Sequence, residues 1–182
     1  MKSDKKRWEE KYKKGQILKY ASQFLVSHYR AASGRRACDI ACGNGRNAKF
    51  LASRGFSVDA IDISPKALSL IEGYEKINRI EADLDFFDLK EEEYDLVVNI
   101  NFLNRSLFEK FEKAMKPGGV LIFESFVHSE KNEANMNPNY LLKPKELLYS
   151  FSNFDIIEYK EKMVPNIYGN MVKKAYMAAI RP

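Results

Sequence analysis

The sequence predicts a doubly wound α/β domain, in which a mostly parallel sheet with an antiparallel edge strand lies between two layers of helices. Three observations lead to this prediction. Short apolar runs alternate with segments of helical periodicity over residues 35–126, as in consecutive βαβ units with right-handed crossovers. A glycine-rich turn follows the first run directly. The last two apolar runs have no helix between them, which predicts a hairpin at one sheet edge.

The first half of the chain begins with an amphipathic helix and continues as two strand–helix units. Gly55 supplies a helix stop, and Ser64 with Pro65 supplies an N-cap and a first-turn proline. Asp59 is expected to face solvent on an alternating strand. The predicted elements are a helix at 16–29, a strand at 35–40, a helix at 46–54, a strand at 56–61 and a helix at 64–73.

The second half repeats the pattern and then interrupts it. A nearly continuous apolar run at 94–100 predicts a strand covered on both faces. Residues 127–143 have no periodicity, and a loop this long in a compact domain is usually a lid or binding loop, or else disordered. We interpret it as a substrate or lid loop. The other predicted elements are strands at 77–82, 120–126, 154–160 and 172–180 and helices at 104–115 and 144–151.

Length and composition favour a single globular domain spanning 1–182. Of the 182 residues, 45% are hydrophobic and 30% charged. No apolar run approaches the roughly 18 residues that a membrane span needs, and the charged N-terminus lacks the apolar core of an export signal. We therefore expect a cytoplasmic protein that contacts no membrane.

The charge is unevenly distributed along the chain. Residues 1–36 carry eleven Lys and Arg against three acids, a balance of 11 − 3 = +8, so the rest of the chain carries +5 − 8 = −3. This basic leader, with a helical segment at 1–30, fits phosphates, an anionic substrate or water alone. The two cysteines, Cys38 and Cys42, have no second Cys or His pair nearby, so we expect buried thiols, no disulfide and no metal.

The turn after the first strand is the motif that points to a nucleotide-like ligand. Gly43 and Gly45 permit unusual backbone angles and a close approach, and the helix that follows offers free amides. The same residues also match the signature of dinucleotide-binding proteins. The glycines alone therefore do not distinguish a dinucleotide from another nucleotide-like ligand. For Arg46 and Asn47, plain surface positions at a helix start fit as well as a role in binding a ligand or anchoring a lid.

Three carboxylates at strand ends bear on whether the turn binds a dinucleotide or another nucleotide-like ligand, although Asp62 fits both. Asp39 precedes Gly43 by four residues, where an acid suits a cationic ammonium group better than a pyrophosphate. Asp62 ends the second strand and is placed to accept hydrogen bonds from ribose hydroxyls. Asp83 ends the third strand and is placed to accept the amino hydrogens of an adenine.

Taken together, these segments resemble the class I S-adenosylmethionine-dependent methyltransferases, and more narrowly the small methyltransferases of the tellurite-resistance type. That group shows a Trp-x-x-x-Tyr start, a Cys-Gly-x-Gly-Arg-Asn turn and a Pro-Gly-Gly before the fifth strand. The corresponding residues here are Trp8-Glu9-Glu10-Lys11-Tyr12, Cys42-Gly43-Asn44-Gly45-Arg46-Asn47 and Pro117-Gly118-Gly119. The resemblance covers nearly the whole chain and implies a Rossmann-like methyltransferase sheet with S-adenosylmethionine as cofactor.

The resemblance also implies a cofactor site. The turn at 39–45 holds the methionine end, Asp62 holds the ribose, and Ile63 packs against adenine. Residues 83–84 meet the adenine edge, and residues 99–101 lie under the sulfonium and its methyl group. The expected cofactor-binding residues are Asp39, Ala41, Gly43, Gly45, Arg46, Asn47, Asp62, Ile63, Asp83, Leu84, Asn99 and Asn101.

The acceptor side has three candidate catalytic residues. Arg105 and Glu124 are expected near the bound methyl group, with an ion pair between them as the structural alternative. His128 is a candidate base, with an exposed loop histidine as the alternative. The C-terminal histidines of some relatives are missing, since the chain has only His28 and His128, which counts against tellurite chemistry. A small acceptor that is already ionised or soft, such as a thiol or a chalcogen oxyanion, is favoured.

Three other functions stay open. A nucleic-acid methyltransferase fits the basic leader, although Asn99-Ile100-Asn101-Phe102 stands where an Asn-Pro-Pro-Tyr-type run is expected and no recognition domain is evident. A nicotinamide-dependent oxidoreductase shares the glycine-rich turn. A non-catalytic cofactor-binding protein is the third. The oligomeric state does not follow from the sequence.

Overall fold

The computed structural model describes residues 18–182, which form one seven-stranded sheet with helices on both faces. The Trp8–Tyr12 motif and the start of the predicted helix 16–29 lie outside this range. The strands are β1 (Arg36–Ile40), β2 (Ser57–Asp62), β3 (Ile77–Glu81), β4 (Tyr94–Ile100), β5 (Met115–Phe126), β6 (Asp155–Pro165) and β7 (Met171–Ile180). The α-helices are α1 (Gln23–His28), α2 (Arg46–Ser53), α3 (Pro65–Ser69), α4 (Phe108–Ala114), α5 (Glu130–Glu133) and α6 (Glu146–Ser150).

The strand order is β3-β2-β1-β4-β5-β7-β6. The strands β1 to β5 pair in parallel, and β7 runs antiparallel to both β5 and β6. The antiparallel strand is therefore the one inserted next to β5, while β6 forms the sheet edge. The chain leaves β1 for β2 on one side and reaches β4 on the other, and in open α/β sheets this switch point opens a crevice at the carboxyl ends of the strands.

Two apolar cores cover the two faces of the sheet. Helices α1, α2 and α3 contribute Phe24, Leu51 and Leu68 to one core, beneath which lie alternate residues of β1, β2 and β4. Helix α4 contributes Phe111 to the other core, together with Phe151 after α6. Burial on both faces explains why the central strands are almost continuously apolar.

Several element boundaries differ from the predicted ones. Helix α1 begins at Gln23, because the Ser22 hydroxyl accepts the Phe24 amide over 3.2 Å and so caps the helix there. Helix α4 ends at Ala114 rather than at the Pro-Gly-Gly turn. Met115 pairs with Tyr94 of β4, which draws the chain into extended conformation five residues before the predicted strand.

Residues 127–143 are tied to the sheet at both ends and through Asn132. Val127 and Leu142 form a parallel bridge, which closes the segment into a loop whose ends are adjacent. Its fully buried Asn132 donates to the carbonyls of Val127 at 2.7 Å and Lys173 at 2.8 Å, and accepts the Lys173 amide at 3.2 Å. The predicted lid function of this segment stays a prediction.

The prediction that Asp59 faces solvent is wrong. Its side chain is completely buried and accepts hydrogen bonds from Tyr94 Oη at 2.8 Å, Arg36 Nη2 at 2.5 Å and Asn78 Nδ2 at 2.9 Å. These donors come from β1, β3 and β4, so they satisfy a carboxylate that the local alternation alone would place outside.

Both cysteines are buried free thiols, as predicted. Within residues 18–182, no helix has the length and apolar character that crossing a membrane requires.

Candidate active site

The turn after β1 presents backbone rather than side chains to the crevice. Three of its residues are in the left-handed region, with φ of 50° at Ala41, 57° at Gly43 and 70° at Gly45. Gly45 also has no room for a side chain, because a Cβ there would lie 2.5 Å from Cδ1 of Ile71. A non-glycine residue in this conformation is uncommon, which marks Ala41 as part of a constrained turn. The missing Cβ of Gly45 therefore makes room for Ile71, and a close approach of a ligand to the turn stays a prediction.

Asp62 joins the end of β2 to that turn. Its Oδ2 accepts the amide of Gly43 at 2.8 Å, and its Oδ1 accepts the amide of Ser64 at 2.9 Å. Only 7% of the residue is exposed, and burial raises the pKa of its carboxyl group, while the backbone donors act in the opposite direction. Ile63, which follows Asp62, is half-buried, and its contact with adenine stays a prediction.

Asp39 lies beneath the turn and faces the start of α2. Its Oδ2 accepts the amide of Ala48 at 3.1 Å, so the carboxylate satisfies one free donor of the helix N-terminus. Burial is the main effect that raises the pKa of the Asp39 carboxyl group to about 7. The charge of Arg46 and the Ala48 amide lower this pKa, whereas the nearby Asp62 acts in the same direction as burial. Asp39 therefore serves the N-terminus of α2, and the ammonium-binding role stays a prediction.

Asp83 lies beside Asp62 at the carboxyl ends of β2 and β3. Ala82 donates its amide to the Asp62 carbonyl at 3.1 Å, which sets the two acids on neighbouring strand ends. The Asp83 carboxylate accepts the amide of Asp85 at 3.1 Å. Leu84, which follows Asp83, is buried. The structure thus brings together the acids that the sequence assigns to ribose and adenine.

The end of β4 carries two asparagines in different roles. Asn99 is buried and donates its Nδ2 to the carbonyl of Phe102 at 2.8 Å, which closes the turn after the strand. Asn101 has φ of 62° and donates its amide to the carbonyl of Glu124 at 2.7 Å. Both residues shape the backbone after β4, next to the end of β5, and their place under the sulfonium stays a prediction.

Residues 18–22, here called the strap, lie across the glycine-rich turn. Side chains of the turn and of the first turn of α2 hold the strap by its backbone. The three bonds run from Asn44 Nδ2 to Leu18 O at 2.8 Å, from Arg46 Nη1 to Tyr20 O at 2.6 Å and from Ser22 N to Asn47 Oδ1 at 3.0 Å. Arg46 and Asn47 are thus in contact with the strap, and a role for either residue in binding a ligand stays a prediction.

Glu124, which the sequence predicts on the acceptor side, lies at the centre of a polar cluster. Its Oε1 accepts from Lys174 Nζ at 2.7 Å, and its Oε2 accepts from Ser22 Oγ at 2.6 Å. Lys174 Nζ also donates to Asn101 Oδ1 at 2.5 Å. The Glu124 and Lys174 side chains are 8% and 12% exposed, so this is a largely buried ion pair that links the strap to the ends of β4 and β5.

Sequence reasoning missed Lys174 and Ser22. The only local signal for Lys174 is its period of two with Tyr176 on a mostly apolar strand, which places both side chains on one face. Ser22 carries an N-cap signature, but nothing local indicates that its hydroxyl reaches a glutamate 102 residues away.

Arg105 does not pair with Glu124, so the ion pair offered as the structural alternative is wrong. Arg105 instead forks onto Glu146, with Nε–Oε1 at 2.5 Å and Nη2–Oε2 at 2.9 Å. It also donates to the carbonyls of Leu141 at 2.9 Å and Asn139 at 3.3 Å. The bidentate geometry clamps the end of the loop 127–143 to α6. A catalytic role for Arg105 stays a prediction.

His128 opens the loop 127–143 and is engaged within it. Its Nδ1 lies 2.9 Å from Glu133 Oε1, and its amide donates to the carbonyl of Leu142 at 2.9 Å. One third of its side chain is exposed. This placement resembles the exposed alternative more than a buried base, and its catalytic role also stays a prediction.

Comparison with known proteins gives a domain match and distant relatives. Residues 37–119 match a family described as methyltransferase domain. Hemagglutinin 1 of Eikenella corrodens is 24% identical over 69% of this chain and 46% of its own length. The probable S-adenosyl-L-methionine-dependent methyltransferase TehB of Haemophilus influenzae is 22% identical over 76% of this chain and 52% of its own length. The chain spans about half the length of these curated relatives.

Solved structures give the same fold. The crystal structure of TehB from Haemophilus influenzae matches with a TM-score of 0.79 at 22% identity, over 89% of this chain and 63% of that one. A phosphoethanolamine N-methyltransferase of Haemonchus contortus, solved with S-adenosyl-L-methionine, matches with a TM-score of 0.69 at 16% identity, over 88% of this chain and 52% of that one. The predicted fold class is confirmed.

Proposed function

We propose that this chain, which carries a methyltransferase domain and resembles the class I S-adenosylmethionine-dependent methyltransferases, transfers the methyl group of that cofactor to a small molecule. The resemblance predicted from the sequence, including the narrower one to the tellurite-resistance type, is confirmed by the domain match and by TehB. The predicted enzyme class and cofactor are supported by the same matches. The acceptor and the site residues belong to the proposal.

One observation carries the proposal: the backbone-lined turn after β1 is tied to a carboxylate at the end of β2. The Asp62 carboxylate has lone pairs beyond those that Gly43 and Ser64 use, and these suit ribose hydroxyls. Asp39 offers negative charge below the turn, which suits the ammonium group of the cofactor. When bound, the cofactor supplies an electrophilic methyl group on a sulfonium.

The acceptor side favours a nucleophile that needs little help from a base. Both carboxylate oxygens of Glu124 already accept hydrogen bonds, from Ser22 and Lys174, and His128 is paired with Glu133. These contacts suit orientation of an acceptor better than removal of its proton. A thiolate or a chalcogen oxyanion is nucleophilic without deprotonation at the site, and we propose an acceptor of this kind.

The experiment is an assay for S-adenosylhomocysteine with the full chain, S-adenosylmethionine and a panel of thiophenol, selenite, aniline and total tRNA. We expect turnover with thiophenol or selenite, retained in His128→Ala and lost in Asp62→Ala. Methylation of tRNA alone would support the nucleic-acid alternative. Cofactor binding without turnover on any acceptor would instead support a non-catalytic cofactor-binding protein. The predicted cytoplasmic location stays a prediction.

A further inference from the structure

Three lysines occupy one face of the β6–β7 hairpin, next to Glu124. Lys162 is directly opposite Lys174 in the strand register, and Lys160 is directly opposite Tyr176. Directly opposed residues of antiparallel strands project to the same face, and residues two apart on a strand do so as well. Lys160, Lys162, Lys174 and Tyr176 therefore share one face of the sheet.

Two of these lysines converge on the ring of Tyr176. Lys162 Nζ lies 5.1 Å from the ring centroid and Lys160 Nζ lies 5.9 Å from it. Tyr176 itself is 8% exposed and forms the floor between them. Like charges placed directly opposite each other destabilise a sheet, so a cationic cluster of this kind is unfavourable unless an anion offsets it.

The carboxylates of this face do not offset all three charges. Glu124 pairs with Lys174, and Glu158 pairs with Lys160 and also contacts His28. Within residues 18–182, Lys162 forms no ion pair. A positive charge thus remains unmatched among the residues that the structure describes, beside an aromatic ring at the end of the crevice.

The position of this charge relative to Glu124 limits what it can bind. Glu124 is in register with Tyr176 on β7, and Tyr176 with Lys160 on β6. Because neighbouring strands are roughly 4.8 Å apart, the backbone of β6 lies about 10 Å from that of β5. The lysine pair is therefore offset from the polar cluster of Glu124 and Asn101, where the nucleophile of an acceptor is expected.

We propose that Lys160 and Lys162 form a subsite for an anionic group, a carboxylate or a phosphate monoester, on an organic methyl acceptor. The anion serves as a handle set apart from the nucleophile. Lys174 is committed to Glu124 and Asn101 and orients that end of the crevice. This inference rests on the proposed function and adds the acceptor's substrate class to it.

The test is a set of calorimetric titrations of the full chain loaded with S-adenosylhomocysteine. Benzoate and phenyl phosphate are the anionic probes, and benzamide is the neutral probe of matched shape. We expect at least one anion to bind about tenfold or more tightly than benzamide, since a charge-assisted contact is worth that much. Comparison of the two anions identifies which anionic group the subsite prefers.

Variants locate the effect on the hairpin. Lys162→Gln is expected to weaken binding of the preferred anion about tenfold, and Lys160→Gln combined with it to remove the preference over benzamide. Lys173→Gln removes the same charge from the opposite face of β7, where Lys173 pairs with Glu161, and should change nothing. Equal binding of benzamide and both anions, or equal binding by wild type and Lys162→Gln, would overturn the inference.

The two proposals fail in different ways. Loss of S-adenosylhomocysteine binding by the wild type would count against the proposed function, whatever the probes do. Intact binding of S-adenosylhomocysteine without anion preference would count against the lysine subsite alone. The affinity of each variant for S-adenosylhomocysteine, expected to match wild type, reports that the variant is folded.

Discussion

The amide of Gly43 donates to Oδ2 of Asp62 over 2.8 Å, across the gap between the carboxyl ends of β1 and β2. This bond joins the residue that permits close ligand approach to the carboxylate that offers acceptors for it. The two residues are 19 positions apart, yet they act as one structural unit. Changes to either residue should therefore affect both the conformation of the turn and the ligand.

The first prediction concerns Asp62→Asn. Asparagine keeps one oxygen, so either the Gly43 or the Ser64 amide loses its acceptor, and the charge is removed as well. A hydrogen bond to a charged group is worth about 1.5–3 kcal/mol, so the affinity for S-adenosylmethionine should fall roughly tenfold to hundredfold. Calorimetric titration measures this, with Asp88→Asn as an exposed control. Unchanged affinity in Asp62→Asn would exclude the ribose role.

The second prediction concerns the strap. In Asn47→Ala the Ser22 amide loses its acceptor, so the strap should open more often. Loss of the hydrogen-bond acceptor of a buried amide costs about 1–3 kcal/mol, so exchange of the Ser22 amide hydrogen with solvent should accelerate about tenfold to hundredfold. Hydrogen exchange followed by NMR measures it. Ser27→Ala, which removes an exposed contact on α1, should leave the rate unchanged, and an unchanged rate in Asn47→Ala would mean that the strap is held elsewhere.

The third prediction is a pH dependence from Asp39. Its pKa in the folded chain, about 7, is above its ordinary value, so the folded state binds this proton more tightly than the unfolded state. The contribution to the free energy of unfolding is therefore present at low pH and is lost as the pH rises towards about 7. Thermal unfolding across this range measures it, and Asp39→Asn should flatten the curve. If the stability of Asp39→Asn changes with pH as steeply as that of the wild type, another group is responsible for the pH dependence.

Cofactor binding should show the opposite trend over the same range. The charged form of Asp39 attracts an ammonium group, so affinity for S-adenosylmethionine should increase from about pH 5.5 to about pH 7. In Asp39→Asn the affinity should be weaker and independent of pH there. Titrations at several pH values compare the two proteins. A wild-type affinity that stays constant would argue that Asp39 serves α2 alone.

The fourth prediction concerns the buried network of Asp59. Asp59→Asn removes the negative charge of the carboxylate to which Arg36 and Tyr94 both donate. Breaking a buried ion pair costs about 3–5 kcal/mol. For a domain of this size the melting temperature should fall by about 10 °C. Differential scanning calorimetry measures the shift, with the exposed Asp155→Asn as control. A loss below about 1 kcal/mol would mean that water or Asn78 replaces the interaction.

The local parts of the fold and site could be predicted from the sequence. The alternation of strands and helices, the glycine turn and the acids at strand ends are patterns within short segments, and the structure places them as expected. Asp39, Asp62 and Asp83 meet at one edge because the carboxyl ends of parallel strands share an edge.

The non-local parts could not be predicted. Asp59 is buried because three other strands supply its donors, and no local pattern contains that information. The cluster of Ser22, Glu124 and Lys174 assembles residues from the strap, β5 and β7, so a single sequence shows none of their proximity. The predicted pairing of Arg105 with Glu124 is wrong for the same reason, because only the fold brings Glu146 next to Arg105.

Calorimetric titration of the full chain with S-adenosylmethionine and with NAD shows which of the two ligands the crevice binds. We expect S-adenosylmethionine to bind in the micromolar range, on the order of −8 kcal/mol, with no heat from NAD. Binding of NAD in its place would show that the glycine turn is a dinucleotide site. Binding of neither ligand would show that the crevice is not a site for S-adenosylmethionine.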